Sequence, residues 1–413
     1  MTAAAATAAA TAAGALDGIA SWDGERDRGP ARISWSDDRI EAVEPAADRY
    51  PGLAVIPGLI DTHVHLDTNV VTGAGPGDAW PLVTPPEEQA MHVLGHTLRF
   101  AAAGVTTLRD LCASPVQIAV GRALDEGAAA GPRLLSFPPV GMTAGHGDLF
   151  TPPRFRHRPP VADSPDECRA LVRRWAREGA HGIKIYTSGG ILSMGDQVRW
   201  RNQTRAEIAA TVDEAHALGL PVAAHSHTAE GIDIALAEGA DSIEHATGMT
   251  EDQLGPLVDR QVPIAPTLLI NDLLAAGAAG VRPEARAKAA AAVAGRGRML
   301  RAAGQAGVRF VLGTDANGRF VGHGGQLDEL RQMRDAFGWT AERTLAAATS
   351  DAAAAIGRGG TLGRVAPGFA PDLVIVRGRP WLDLDELTTD NIVAVICRGR
   401  LLSGRIPAPA GKD

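Results

Sequence analysis

The chain reads as an α/β protein: a (β/α)8 TIM barrel inserted into a small β-sandwich formed by its N- and C-terminal segments. Between about residues 53 and 357, eight short apolar runs alternate with longer helical stretches, the order expected of a parallel barrel. Residues 15–52 and 360–408 have a different texture, with short β-type runs at 31–35, 373–376 and 392–397 broken by Gly, Pro and Asp. Neither end is long enough to make a stable sheet alone, so the two are expected to combine. The expected domains are an Ala/Thr tail (1–13), a β-sandwich (14–56 with 358–413) and a barrel (57–357).

The barrel strands are expected at 54–65, 106–111, 132–137, 182–187, 222–227, 242–246, 263–267 and 309–315. Thr84…Glu87, Ser164…Glu167, Thr204…Glu207 and Thr250…Gln253 have capping-box spacing, which marks helix starts, and helices are expected over 86–103, 165–178, 205–218 and 229–238. The Ala-rich stretch 271–306 fits one long helix or two.

Composition narrows the function. A formal net charge of −8, with no block of Lys or Arg, argues against a nucleic-acid or anionic-membrane partner. Cys112, Cys168 and Cys397 are odd in number and far apart, which speaks against a disulfide framework. The first residues lack the basic and apolar regions of a targeting peptide, and no apolar run approaches the ~18 residues of a membrane span. A cytoplasmic protein is expected.

Lys184 stands out. Of 40 basic residues only Lys184, Lys288 and Lys412 are lysines, and Lys184 alone lies in an apolar β-type run, Gly182 to Tyr186. A desolvated lysine can lose its proton, which arginine does not. Polar residues also collect at the ends of other expected strands. Asp61, His63 and His65 end the first, His225 and His227 the fifth, Glu244 and His245 the sixth, and Thr314 and Asp315 the eighth. Side chains two apart share a face, and the carboxyl ends of barrel strands meet at one rim. A single such histidine has a ready structural explanation, but His63, His65, His225, His245 and Asp315 in order read as a metal site. His92, His96, His157, His181 and His216 are expected to be structural or solvated.

These segments (55–65, 182–190, 223–227, 241–245, 312–315 and the tail at 362–374) resemble the amidohydrolase superfamily over essentially the whole chain. Within it they look most like the metal-dependent dipeptidases and N-acyl-amino-acid hydrolases related to Xaa-Pro and Xaa-Arg dipeptidases and ochratoxin-type amidases. The resemblance implies two divalent metal ions, best suited by Zn²⁺. His63, His65 and Asp315 would hold one ion, His225 and His245 the other, and Lys184, carboxylated by carbon dioxide, would bridge them.

Two cations about 3.5–4 Å apart would activate a shared water as hydroxide at neutral pH, with Asp315 as general base and then acid. The expected substrate is a small molecule with an amide bond, with or without a carboxylate, and a homo-oligomer is the expected assembly. His146, in a glycine-rich loop, and Tyr186, on the face of Lys184, are candidates for catalysis and substrate binding. His227 and His323 are candidates for substrate binding, and Arg154, Arg156 and Arg158 for attracting a carboxylate. The rival readings are a mononuclear deaminase or chlorohydrolase, which would lack the bridging lysine, a lactonase or phosphotriesterase, and an inactive binding homologue, which would lack ligands.

Overall fold

The computed structural model describes residues 13–75, 80–141, 154 and 160–410. The chain begins with four strands, β1 (Gly14–Trp22), β2 (Asp27–Ser36), β3 (Arg39–Pro45) and β4 (Leu53–Pro57). The expected strand 54–65 is broken at Gly58 into β4 and β5 (Leu59–Val64). A Cβ at Gly58 would lie 2.2 Å from Thr106 Oγ1, so only glycine lets the chain step from one sheet to the next so close to its neighbour.

The barrel staves follow: β5, β6 (Val105–Leu111) and β7 (Arg133–Phe137) in one parallel sheet, then β8 (Ile183–Tyr186), β9 (Val222–Ser226), β10 (Ser242–His245) and β11 (Ile264–Ala265) in a second. Lys184 N donates to Pro138 O at 2.9 Å and joins the two sheets. The strand expected at 309–315 is present as an irregular stave. Val311 N bonds Ile264 O at 2.9 Å, Thr62 N bonds Leu312 O at 3.0 Å, and His65 N bonds Ala316 O at 2.9 Å. These contacts close the ring between β11 and β5. The result is an α/β fold of the TIM-barrel type.

Both chain ends meet, as expected, but in a single seven-stranded sheet rather than two stacked ones. After the barrel come β12 (Leu373–Arg377), β13 (Ile392–Cys397) and β14 (Arg400–Gly404), and the order is β14-β13-β12-β4-β1-β2-β3. The pairing of β4 with β12 joins the N-terminal strands to the C-terminal ones. The sheet curls until Trp35 Nε1 donates to Gly399 O at 3.2 Å, enclosing Leu16, Ile33, Val55, Ile375 and Ile396 in a core of its own. A second face of apolar side chains was therefore supplied by twist instead of by a second sheet.

Helix signals were mostly legible. Thr204 and Glu207 form a reciprocal capping box before Arg205–Ala217. Ser164 accepts from Glu167 N, but the Glu167 carboxylate accepts from Asp163 N, so that box is half made. Thr84 caps nothing: the helix Pro86–Ala102 begins from Pro85 without a side-chain bond. The stretch expected as one or two helices contributes to three, Leu268–Ala276, Pro283–Val293 and Arg296–Ala306, separated at left-handed glycines Gly277 and Gly295. Cys112, Cys168 and Cys397 are free. Among the described residues no helix is long and apolar enough to cross a membrane.

Candidate metal centre

The stave ends bring the polar residues together in two groups. His63, His65 and Asp315 place one donor atom each within 4.8 Å of one another, and so do His225, His227 and His245. His65 Nε2 lies 3.1 Å and His63 Nε2 3.7 Å from Asp315 Oδ1. The groups adjoin through the His63 and His245 rings, 5.0 Å apart. The expected pair His225 and His245 thus gains His227, whose ring stacks on that of His245 at 4.4 Å. Burial holds His63 down at about 4 and His227 at about 3, so both rings are neutral at neutral pH, as metal ligation requires.

Lys184 is 2% exposed, and its Nζ has no hydrogen-bond partner among the described residues. Burial, opposed by the charges of Glu244 and Asp315, brings its ammonium down to about 8. An unpartnered buried ammonium is costly. Conversion to an anionic carbamate held by cations would remove that cost, and in this respect the donor set fits the expected metal pair.

An outer layer holds the candidate ligands in place. Glu244 Oε2 lies 2.9 Å from His63 Nδ1, while Oε1 accepts from Arg109 at 2.8 Å and from Ser242 Oγ at 2.7 Å. Arg109 also donates to Thr62 O at 2.6 Å. Burial acts to raise Glu244, but Arg109 and the His63 ring outweigh it and hold the carboxyl at about 2. The carboxylate is therefore an acceptor, His63 Nδ1 carries the proton, and Nε2 becomes the ligand atom. His245 Nδ1 is 2.7 Å from Thr267 Oγ1, and His227 Nδ1 is 2.9 Å from Thr247 Oγ1. His225 Nε2 is 3.1 Å from Gly189 O, which makes Nδ1 its candidate donor to a cation. Asp61 accepts from His63 N, Thr314 N and Thr314 Oγ1 and clamps β5 to the last stave.

His245 and Asp315 have φ of 70° and 56°, a left-handed backbone that costs non-glycine residues energy and tends to collect at functional sites. Burial acts upward on Asp315, but the His65 hydrogen bond and nearby cationic groups hold it below the usual carboxylate range.

Asp61 and Glu244 stand among the polar strand ends of the sequence but carry no role there, and Arg109 is not singled out at all. Their signal was the same as that of Lys184, a charged residue inside a short apolar strand. Tyr186 is buried and its hydroxyl bonds Cys112; its ring centre lies 5.8 Å from that of His225. His323 belongs to neither group. Its Nε2 is 2.7 Å from His96 Nδ1, and its ring packs edge-on against Phe100. His96 is structural, as expected, with Nε2 2.9 Å from Thr68 O. His146, Arg156 and Arg158 lie outside the described residues, and Arg154 is exposed.

The model of the amidohydrolase family matches residues 54–402, from β4 to β14. Ochratoxinase from Aspergillus niger is 27% identical over 382 residues, spanning 87% of this chain and 78% of that protein. A Xaa-Pro dipeptidase with methionine bound in its active site is 28% identical, with a TM-score of 0.81 over 93% of this chain and 98% of that one. A prolidase complexed with N-methylphosphonate-L-proline is 29% identical, with a TM-score of 0.83 over 95% of this chain and 99% of that one. With a match that runs from β4 through every stave carrying these histidines, Lys184 and Asp315 to β14, the chain belongs to the amidohydrolase family.

Proposed function

We propose that the chain is a two-metal hydrolase of amide bonds, acting on a peptide or an N-acyl amino acid. The observation that carries this reading is Lys184, a buried ammonium with no hydrogen-bond partner among the described residues, on the stave beside two histidine-rich groups of candidate metal donors. A one-metal deaminase has no use for it, and an inactive homologue would have lost ligands that are all present. Ochratoxinase and the prolidase, amide hydrolases, have a similar fold.

His63, His65 and Asp315 would hold one cation, His225 and His245 the second, with His227 beside them and carboxylated Lys184 between. Imidazole and carboxylate donors suit Zn²⁺. When bound, such cations supply Lewis acidity and a nucleophilic oxygen at neutral pH. Asp315, ionised at neutral pH, takes the nucleophile's proton and delivers it to the departing amine, which leaves poorly unless protonated. Arg109 and Glu244 keep the His63 tautomer that presents Nε2. Tyr186, kept protonated by burial and bonded to Cys112, would donate to a substrate only by giving up that bond.

The test is metal content together with a substrate screen. Two equivalents of metal per chain are expected after reconstitution with zinc and bicarbonate, falling to one or none in Lys184→Ala along with activity. Dipeptides and N-acyl amino acids are the expected substrates. Full metal content in Lys184→Ala, or turnover confined to a lactone or an aminopyrimidine, would overturn the reading.

A further inference from the structure

The segment from Thr187 to Gln203, which follows β8, touches the candidate centre directly. Gly189 O accepts from the His225 ring at 3.1 Å, and Ser188 Oγ accepts from His227 N at 2.9 Å. Gly189 N in turn bonds Val198 O at 3.0 Å. Ser188, Ser193, Asp196, Asn202 and Gln203 are all buried, so most of the segment is packed rather than draped over the surface.

It is pinned from outside by the second of the chain's three lysines. Lys288, on helix Pro283–Val293, donates to Ser193 O at 2.7 Å, to Gly190 O at 3.4 Å and to the Asp196 carboxylate. One turn earlier, Glu284 Oε1 accepts from Gly195 N at 3.0 Å. Three acceptors from one loop converge on a single point, which suits a compact ammonium and not a planar guanidinium. The composition is explained: an arginine-rich chain keeps a lysine here for shape.

On this anchored base Arg199, Trp200 and Arg201 stand exposed, immediately after Val198. Neither guanidinium has an ion pair or hydrogen bond among the described residues, in a chain of net charge −8. Trp200 is 39% exposed. Two guanidiniums flanking an indole therefore follow directly in the chain on Val198, whose backbone is two hydrogen bonds from the His225 ring.

We propose that Arg199, Trp200 and Arg201 form the specificity element of the site and recognise the carboxylate and apolar side chain of an amino acid in the substrate. A guanidinium offers a fork that matches a carboxylate, and an indole face offers apolar area at low entropic cost. This assignment rests on the amide-hydrolase reading for the reaction, but not for its test.

The test is calorimetric binding of N-acetyl-L-phenylalanine and of its carboxamide to the metal-loaded full chain. Wild type is expected to prefer the carboxylate by about tenfold, as for a charge-assisted hydrogen bond. In the double variant Arg199→Ala/Arg201→Ala the ratio falls several-fold with metal content and Tm unchanged. Trp200→Ala weakens both ligands alike. Lys288→Met raises amide hydrogen exchange across 188–203 and lowers the discrimination, and Lys288→Arg does not restore it. An unchanged ratio in the double variant, or no binding of either ligand to wild type, overturns the proposal. Unaltered exchange in Lys288→Met overturns the pinning. Because binding is read rather than turnover, failure to hydrolyse any amide would count against the proposed reaction and not against this surface.

Discussion

At the residue scale the site depends on buried charges with assigned partners. Glu244 faces Arg109 and His63, all three nearly inaccessible, and removing its charge leaves Arg109 uncompensated. Glu244→Gln is expected to cost about 3 kcal/mol at neutral pH, as for breaking a buried pair. The folded-state value of about 2 lies below the ordinary 4.5. The stabilisation is therefore complete above 4.5 and is lost as pH falls toward 2. The Tm gap between wild type and Glu244→Gln should narrow over that window, and a gap independent of pH would show that the carboxylate is not held as described. Lys184 was legible in the sequence because a lysine in an apolar strand is anomalous. The partnership of Arg109 with Glu244, 135 residues apart, was not, because nothing local says which strands face each other across the barrel.

At the element scale the decisive piece is the irregular last stave. Gly313 sits where a Cβ would meet Ala265 Cβ at 2.6 Å and His63 Cβ at 3.0 Å. Gly313→Val should wedge β5 away from β11, costing about 1–3 kcal/mol by overpacking and displacing His63. Lower Tm together with weaker zinc binding is expected; a loss of Tm alone would mean that the wedge is absorbed away from the ligand. The stave was expected as an ordinary strand because Val311 and Leu312 are apolar and precede Asp315. Its broken pairing follows from the positive φ of Asp315 and from Thr314 N and Asp315 N both turning to His63 O. The break at Gly58 was hidden for a related reason: the apolar run continues through it, so pattern alone reads one strand where two sheets share the chain.

At the scale of the whole molecule, the terminal sheet shares the main apolar core with the barrel through Trp22, Ile56, Val374 and Val395, and a few charged contacts away from the candidate site add to that coupling. Asp372, just before β12, accepts from Arg398 N at 2.8 Å and pairs with Arg133 at the start of β7. Asp372→Ala should destabilise the chain by roughly 2–4 kcal/mol, somewhat less than a fully buried pair because Arg133 keeps some contact with water. Zinc content should be unchanged at temperatures where the variant stays folded, since this pair lies at the opposite ends of the staves from the ligands. Loss of metal in the folded variant would show that the sheet supports the site and not only the fold.

The types of candidate ligand and their place at strand ends are readable from the chain alone. Those follow from local facts: a period of two along a strand, an apolar run before each polar end, and a lysine where arginine is the rule. Tertiary structure decided how the residues associate. It added His227 to His225 and His245, moved His323 to His96, placed Arg109 and Glu244 behind His63, and set Lys288 under the loop that carries Arg199, Trp200 and Arg201. The physical reason is range: side-chain direction along a strand is set within a few residues, whereas partnership depends on barrel register and closure between positions far apart in the chain.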